Sequence, residues 1–182
     1  MHRLMKLVAG LVGCMLAAPA LFLGFYDVRN FRPYLPAIRT IYADMDEGDR
    51  NPPNNVQDFV LKVDGRIVGS LDARDLLSEL GPRMNMGSWH YHSTMWRFLL
   101  PLHFTQKERV AFYCHYLKYE SGSGLNEASG FYFHKPSDQL TTDELAAIVA
   151  IGRAPMRNSP FRHPERLQYA KQRVLSQYAA AQ

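Results

Sequence analysis

The stretch Leu140-Thr141-Thr142-Asp143-Glu144-Leu145-Ala146-Ala147-Ile148-Val149-Ala150-Ile151-Gly152-Arg153-Ala154-Pro155 decides the fold class. Thr141 and Glu144 stand at the spacing in which each side chain serves the other's backbone N–H at a helix start. Asp143 adds negative charge where the helix dipole favours it. Leu145, Ile148, Val149 and Ile151 then recur at helical intervals, and Pro155 stops the run. Start, apolar face and stop all agree on one helix.

The same grammar extends outward on both sides. Thr105 and Glu108 repeat the capping spacing and predict a helix running to about Tyr119. Pro164 suits the first turn of a last helix, whose Leu167, Ala170, Val174, Leu175 and Tyr178 share one face. From Ser70 the leucines 71, 76, 77 and 80 have helical spacing, ended by Gly81-Pro82. Val56 to Val63 reads as a half-buried segment, helix or strand, followed by a turn at Asp64-Gly65. Ala37 to Met45 predicts a short helix, stopped by Glu47-Gly48-Asp49 and the turn Asn51-Pro52-Pro53-Asn54. Asp27 to Pro36, with Pro33 and Pro36, reads as an irregular neck. No internal repeat and no clear strand is visible, so the chain is expected to be all-α.

With 182 residues the chain has room for one anchor and one globular domain. Hydrophobic residues at 47% supply a core, and charged residues at 21% without low-complexity runs exclude wholesale disorder. The net charge of +4 is mild. Arg29, Arg32 and Arg39 follow the apolar N-terminus, while Arg153, Arg157, Arg162, Arg166, Lys171 and Arg173 crowd the C-terminal part. Such clusters can hold a lipid headgroup, a phosphate or nucleic acid. No nucleic-acid module accompanies them, so no nucleic-acid partner is expected and a solvated basic face is the favoured reading.

Arg3 and Lys6 precede an uncharged apolar run from Leu7 to Phe25, ended by the interfacial aromatic Tyr26. At about 1.5 Å per residue this nearly spans a hydrocarbon core of about 30 Å. Three readings stay open: an uncleaved anchor, a signal peptide cut after Ala18-Pro19-Ala20, and a lipoprotein box Leu11-Val12-Gly13-Cys14. The anchor is favoured because the run continues past both cut sites, through Leu21-Phe22-Leu23. The expected location is the inner membrane, single-pass, with the domain in the periplasm. Cys14 lies in this segment and Cys114 far from it, so no disulfide is expected between them.

From Lys107 to Tyr178 a series of landmarks follows in order. They are Lys107-Glu108-Arg109-Val110, Gly122-Ser123-Gly124, and Ala128 before Tyr132-Phe133-His134-Lys135. After the opening stretch come Arg153-Ala154-Pro155 and Ser159-Pro160. This pattern resembles the C-terminal portion of the glycosyltransferase family 51 domain, the peptidoglycan transglycosylase module of class A penicillin-binding proteins. The resemblance implies a lysozyme-like helical domain behind an N-terminal transmembrane helix. The corresponding organisation is 1–26 anchor or signal segment, 27–54 neck and irregular segment, and 55–182 transglycosylase-like domain. It further implies a place in cell-wall synthesis, with lipid-linked peptidoglycan precursor or glycan strand, the membrane and a synthesis protein as partners.

The upstream correspondence is looser. The family's Glu-Asp pair, whose Glu deprotonates the attacking sugar hydroxyl, falls on Val63-Asp64. Its Gly-Gly-Ser-Thr-Ile-Thr-Gln-Gln-Leu stretch falls on Met86 to Thr94, where only Gly87 and Ser88 are kept. The segment with a second essential Glu is deleted or merged into Trp96 to Phe104, and a later Glu and Asn fall on Phe112 and Tyr116. Gly87, Ser88, Lys107 and Arg153 are the substrate-binding positions the resemblance implies.

Glycosidic chemistry normally needs a carboxylate pair. Between Glu79 and Glu108 there is no Asp or Glu. Asp64 is the only candidate near the expected position, with a shorter side chain displaced by one residue. Losing the acid/base costs about 10² to 10⁴ in rate, which makes turnover negligible. The favoured expectation is therefore a non-catalytic relative. The alternatives are an active polymerase using Asp64 and a purely structural membrane protein. Asp44, Asp46, Glu47 and Asp49 read as a solvated turn, and Glu108 and Glu144 as caps. On an extended segment His90 and His92 would share a face, with His103 or His115 to complete a metal site. No Cys-x-x-Cys or His-Glu-x-x-His spacing supports this, so hydrogen-bonded imidazoles are favoured and neither metal nor cofactor is expected. The aromatic group Trp89, Tyr91, Trp96, Phe98, Phe104, Phe112, Tyr113 and Tyr116 reads as core, with Trp96, Phe98, Leu99 and Leu100 alternatively resting on a membrane.

Overall fold

The computed structural model describes residues 17–65, 68–81 and 85–182, and they are mostly helical. The first described element is α1, over 17–26. A π-helical turn Asp27–Phe31 and a 3-10 turn Arg32–Tyr34 lead into α2 (Leu35–Asp44) and the one-turn α3 (Glu47–Arg50). Then follow α4 (Asn54–Asp64), α5 (Val68–Leu80), α6 (Met86–His103) and α7 (Gln106–Tyr116). A two-residue ribbon pairs β1 (Lys118–Tyr119) with β2 (Gly122–Ser123) antiparallel. The chain finishes through α8 (Leu125–Phe133), α9 (Thr142–Arg153) and α10 (Pro164–Ala179).

The signals at both capping boxes are realised. In α7 and α9 the threonine accepts from the glutamate's N–H, and the glutamate carboxylate accepts from the threonine's N–H. Pro164 occupies the first turn of α10. Val56 to Val63, open between helix and strand, is helix. Its Val56, Phe59 and Val60 form one buried face. The expected extension of α7 to Tyr119 is corrected: the helix ends at Tyr116, because Lys118 and Tyr119 exchange ladder bonds with Ser123 and Gly122.

Two apolar clusters share α7. One gathers α4, α7, α8, α9 and α10 around Val56, Phe59, Val110, Leu125, Ile148 and Val174. The other gathers the neck, α2, α5 and α6 around Phe31, Ile38, Leu76, Trp96, Leu99 and Phe112. Val110, Tyr113 and Cys114 of α7 face the first, and Ala111 and Phe112 the second. A helix buried on all sides needs apolar residues all round, and Val110 through Cys114 are five such residues in a row.

The neck is not irregular. Phe31 is fully buried with its ring edge-on to Trp96 at 5.1 Å, and Asp27 is buried against His103 (2.8 Å) and Arg32 (2.8 Å). Nor is Glu47-Gly48-Asp49 a solvated stop. Asp46 caps α3 by accepting from the Gly48 N–H, and Asp49 is buried. Trp96, Leu99 and Leu100 are core, leaving Phe98 and Leu102 as the exposed apolar residues in that part of α6. Among the described residues no helix is long and apolar enough to cross a membrane. Leu7 to Leu16 of the apolar run, Cys14 with them, lie outside the described residues, as do Arg3 and Lys6.

Candidate functional site

Asp64 ends α4 and Arg153 ends α9. Carbonyl ends of helices carry partial negative charge, so an arginine is favoured there and an aspartate is not. The two residues answer each other. Arg153 Nη2 donates to Asp64 Oδ1 at 2.5 Å and Nε donates to Oδ2 at 3.2 Å, the two-pronged pairing that a planar guanidinium makes. Tyr113, from the middle of α7, donates its hydroxyl to Oδ2 at 2.5 Å. Burial, and then the negative charge of Asp64, pushes the Tyr113 phenol well above its ordinary range, so it stays a donor. Arg153 Nη1 is held by Gln177 of α10 at 3.1 Å.

This cluster forms one wall of an open cavity of about 980 Å³, whose lining includes Lys62, Val63, Asp64, Gln106, Arg153 and Gln177. The cavity can admit a sugar-sized ligand. Its carboxylate is another matter. Both oxygens already accept charged or phenolic donors, and the side chain is only 2% exposed. A bound hydroxyl finds only the one acceptor position left on Oδ1, and burial of the side chain keeps it from reaching that position.

The remaining implied positions lie elsewhere. Gly87 and Ser88 occupy the first turn of α6, where the Asn85 side chain accepts from the Ser88 N–H, and neither lines the Asp64 cavity. Lys107 is exposed beside Gln106. Its charge is felt at Glu47, whose carboxyl Arg50 and Asn51 chiefly hold below the ordinary value. Of the substrate-binding set, Arg153 alone meets Asp64 in the cavity.

Two carboxyls, Asp75 and Asp72, escaped the sequence reading, and a third, Asp49, was read as part of a solvated turn. Asp75 of α5 faces a second hollow of about 240 Å³, bounded also by Tyr113, Tyr116, Lys118 and Arg153, and burial raises its pKa against the pull of Arg74 and Lys118. Asp49 accepts from the Asn126 N–H at 2.9 Å and so caps α8, whose N-cap Gly124 has no side chain to do it. Gly124 is needed there: its φ is 106°, and a Cβ would fall 2.4 Å from Asp49 Oδ2. Burial raises the Asp49 carboxyl to about 6, against the Asn126 N–H and with Asp46 adding to the rise. Asp72 is sealed in α5, and burial pushes it far above the carboxylate range. Neither of its oxygens has a hydrogen-bond partner among the described residues. The signal for Asp75 was its place three residues after Asp72 and four before Glu79, but nothing local told which of the three would face a hollow.

Met86 to Thr94 is helical, which overturns the premise of a shared histidine face. Two residues apart on a helix means about 200° around it. The His92 ring meets the Tyr26 hydroxyl, and His103 meets Asp27. Among the described residues no group of three metal-ligating side chains is assembled.

Residues 93–179 match the family model described as Transglycosylase, the domain of family 51 in class A penicillin-binding proteins. The match contains every landmark from Lys107 to Tyr178 and extends the resemblance upstream to Ser93. It begins downstream of Val63-Asp64 and of Gly87-Ser88. No curated protein matches the chain.

Proposed function

We propose, from a chain whose residues 93–179 carry the transglycosylase signature, a peptidoglycan glycosyltransferase-like protein of cell-wall synthesis that binds lipid-linked precursor or glycan without polymerising it. Its lysozyme-like helical domain sits in the periplasm, tethered to the inner membrane by residues 1–26. The observation that carries this reading is the engagement and burial of Asp64: an arginine fork and a phenol take three of its about four acceptor positions, and the side chain is only 2% exposed. The cavity beside it is lined by Gln106, by Gln177, whose amide NH2 remains a donor, and by Lys62, which Asp58 holds at 2.9 Å, polar groups suited to a sugar or an anionic group.

The full-length protein given labelled lipid-linked precursor tests it. Saturable binding without polymer is the expected result, weakened by Gln177→Ala and by Lys62→Ala. No binding to precursor or glycan strands would leave a structural membrane protein. The active-polymerase reading draws on Asp75, a raised carboxyl facing a hollow. Polymer formation abolished by Asp75→Asn, or by Asp64→Asn, would establish that reading in place of the first.

A further inference from the structure

Most of the basic side chains in the C-terminal part already have partners. Arg153 pairs with Asp64, Arg162 with Glu120 at 3.4 Å, Lys171 with Asp143 at 2.9 Å and Lys135 with Glu144 at 2.7 Å. Arg157, Arg166 and Arg173 differ. Among the described residues none of them makes an ion pair or a side-chain hydrogen bond, yet all three line one cleft of about 510 Å³. Arg166 and Arg173 stand two turns apart on α10, with Tyr169 and Ala170 between them, and Arg157 comes from the turn after α9. Glu165 lines the same cleft and offsets only one of the three charges.

Like charges gathered on one face repel, and a fold that leaves them unpaired gains by attracting a counter-ion. One carboxylate is filled by a single guanidinium fork. Three forks lining one cleft from two elements suit a tetrahedral oxyanion with more acceptor positions. We propose that this cleft binds a phosphate or pyrophosphate group, presented by a soluble molecule or by a lipid headgroup. Met156 and Phe161, 63% and 68% exposed in the segment joining α9 to α10, are the apolar contacts a headgroup at a lipid surface would add. The site is separate from the Asp64 cavity and stands or falls without it.

The full-length protein in neutral detergent micelles is titrated with sodium pyrophosphate, and separately with micelles doped with phosphatidylglycerol or, as zwitterionic control, phosphatidylcholine. Saturable binding of pyrophosphate, of phosphatidylglycerol or of both is expected, falling with added salt. The triple variant Arg157→Ser, Arg166→Ser, Arg173→Ser weakens it at least tenfold. Arg162→Ser, whose arginine is paired with Glu120, leaves it unchanged. The triple lysine variant keeps the charge but loses the fork, and falls between the two. Binding of pyrophosphate alone assigns a soluble ligand, and of phosphatidylglycerol alone a headgroup. Failure of the wild type to bind either, or equal affinity in the triple serine variant, overturns the assignment.

Discussion

The two apolar clusters on either side of α7 are built by different means. Around α4, α9 and α10, each helix carries its own start signal or its own apolar stripe, and packing adds to a local preference already present. Around Trp96, the core built by α2, α5 and α6 is joined by Tyr26 at the end of α1 and by Phe31 of the π-helical turn, where no side-chain cap orders the chain locally. There the aromatic contacts of Phe31 and Tyr34 with Trp96, at 5.1 and 5.3 Å, supply what propensity does not. One cluster is assembled from helices that begin well. The other exists because large rings found one another.

The strongest way to break that contrast is Trp96→Ala. Removing a fully buried indole is expected to cost about 3–5 kcal/mol. Because α7 serves both clusters, thermal unfolding should remain a single transition at lower temperature. Two resolved transitions would mean that the clusters are separate cooperative units.

Arg153→Ala strikes the other cluster and should cost about 3 kcal/mol, since it leaves Asp64 buried without its counter-charge. Asp64→Asn in the same background should recover part of the loss. Denaturant titration of the single and double variants measures both, and no recovery would show that the pair is not the source of the effect.

Asp49, at the junction of α3 and α8, offers a pH test. Its carboxyl stands near 4 when unfolded and about 6 when folded, so between those values the folded chain holds a proton the unfolded chain has released. Its contribution to stability is therefore complete below about pH 4 and is lost as pH rises to about 6. Asp49→Asn should flatten that part of the melting-temperature profile, and an unchanged slope would assign the titration elsewhere.

The smallest effect is expected at His134, which closes α8 with φ 56°, in the left-handed region, donating its N–H to the Gly130 carbonyl. A glycine there avoids the Cβ strain, so His134→Gly should stabilise by roughly 0.5–1 kcal/mol. The same position in the resembled family's Tyr-Phe-Gly-Lys segment is a glycine. Lys135, next to it, holds Glu144 of the α9 capping box at 2.7 Å and keeps the two helices in register.

Much of the C-terminal cluster was legible in the residues. Capping boxes and helical spacing are local codes, set within one or two turns, and both boxes and Pro164 did what their spacing implied. The resemblance rested on the same region, and the family match covers it. The neck was misread because its order comes from partners in α6, more than sixty residues away, such as His103 for Asp27 and Trp96 for Phe31. Asp49 was misread for a similar reason: the N–H it serves belongs to Asn126.

Sequence alone determined that this is a helical chain with an apolar N-terminus, and that its C-terminal part resembles a transglycosylase domain. Helix starts and apolar periods act over a few residues, so they survive in the order of the letters. Only the tertiary structure decided that Asp64 meets Arg153 and Tyr113, that Asp75 faces a hollow while Asp72 is sealed, and that three arginines without an ion pair among the described residues line one cleft. A carboxylate's chemistry depends on which charges and how much water lie within a few ångströms, and distant segments supply both.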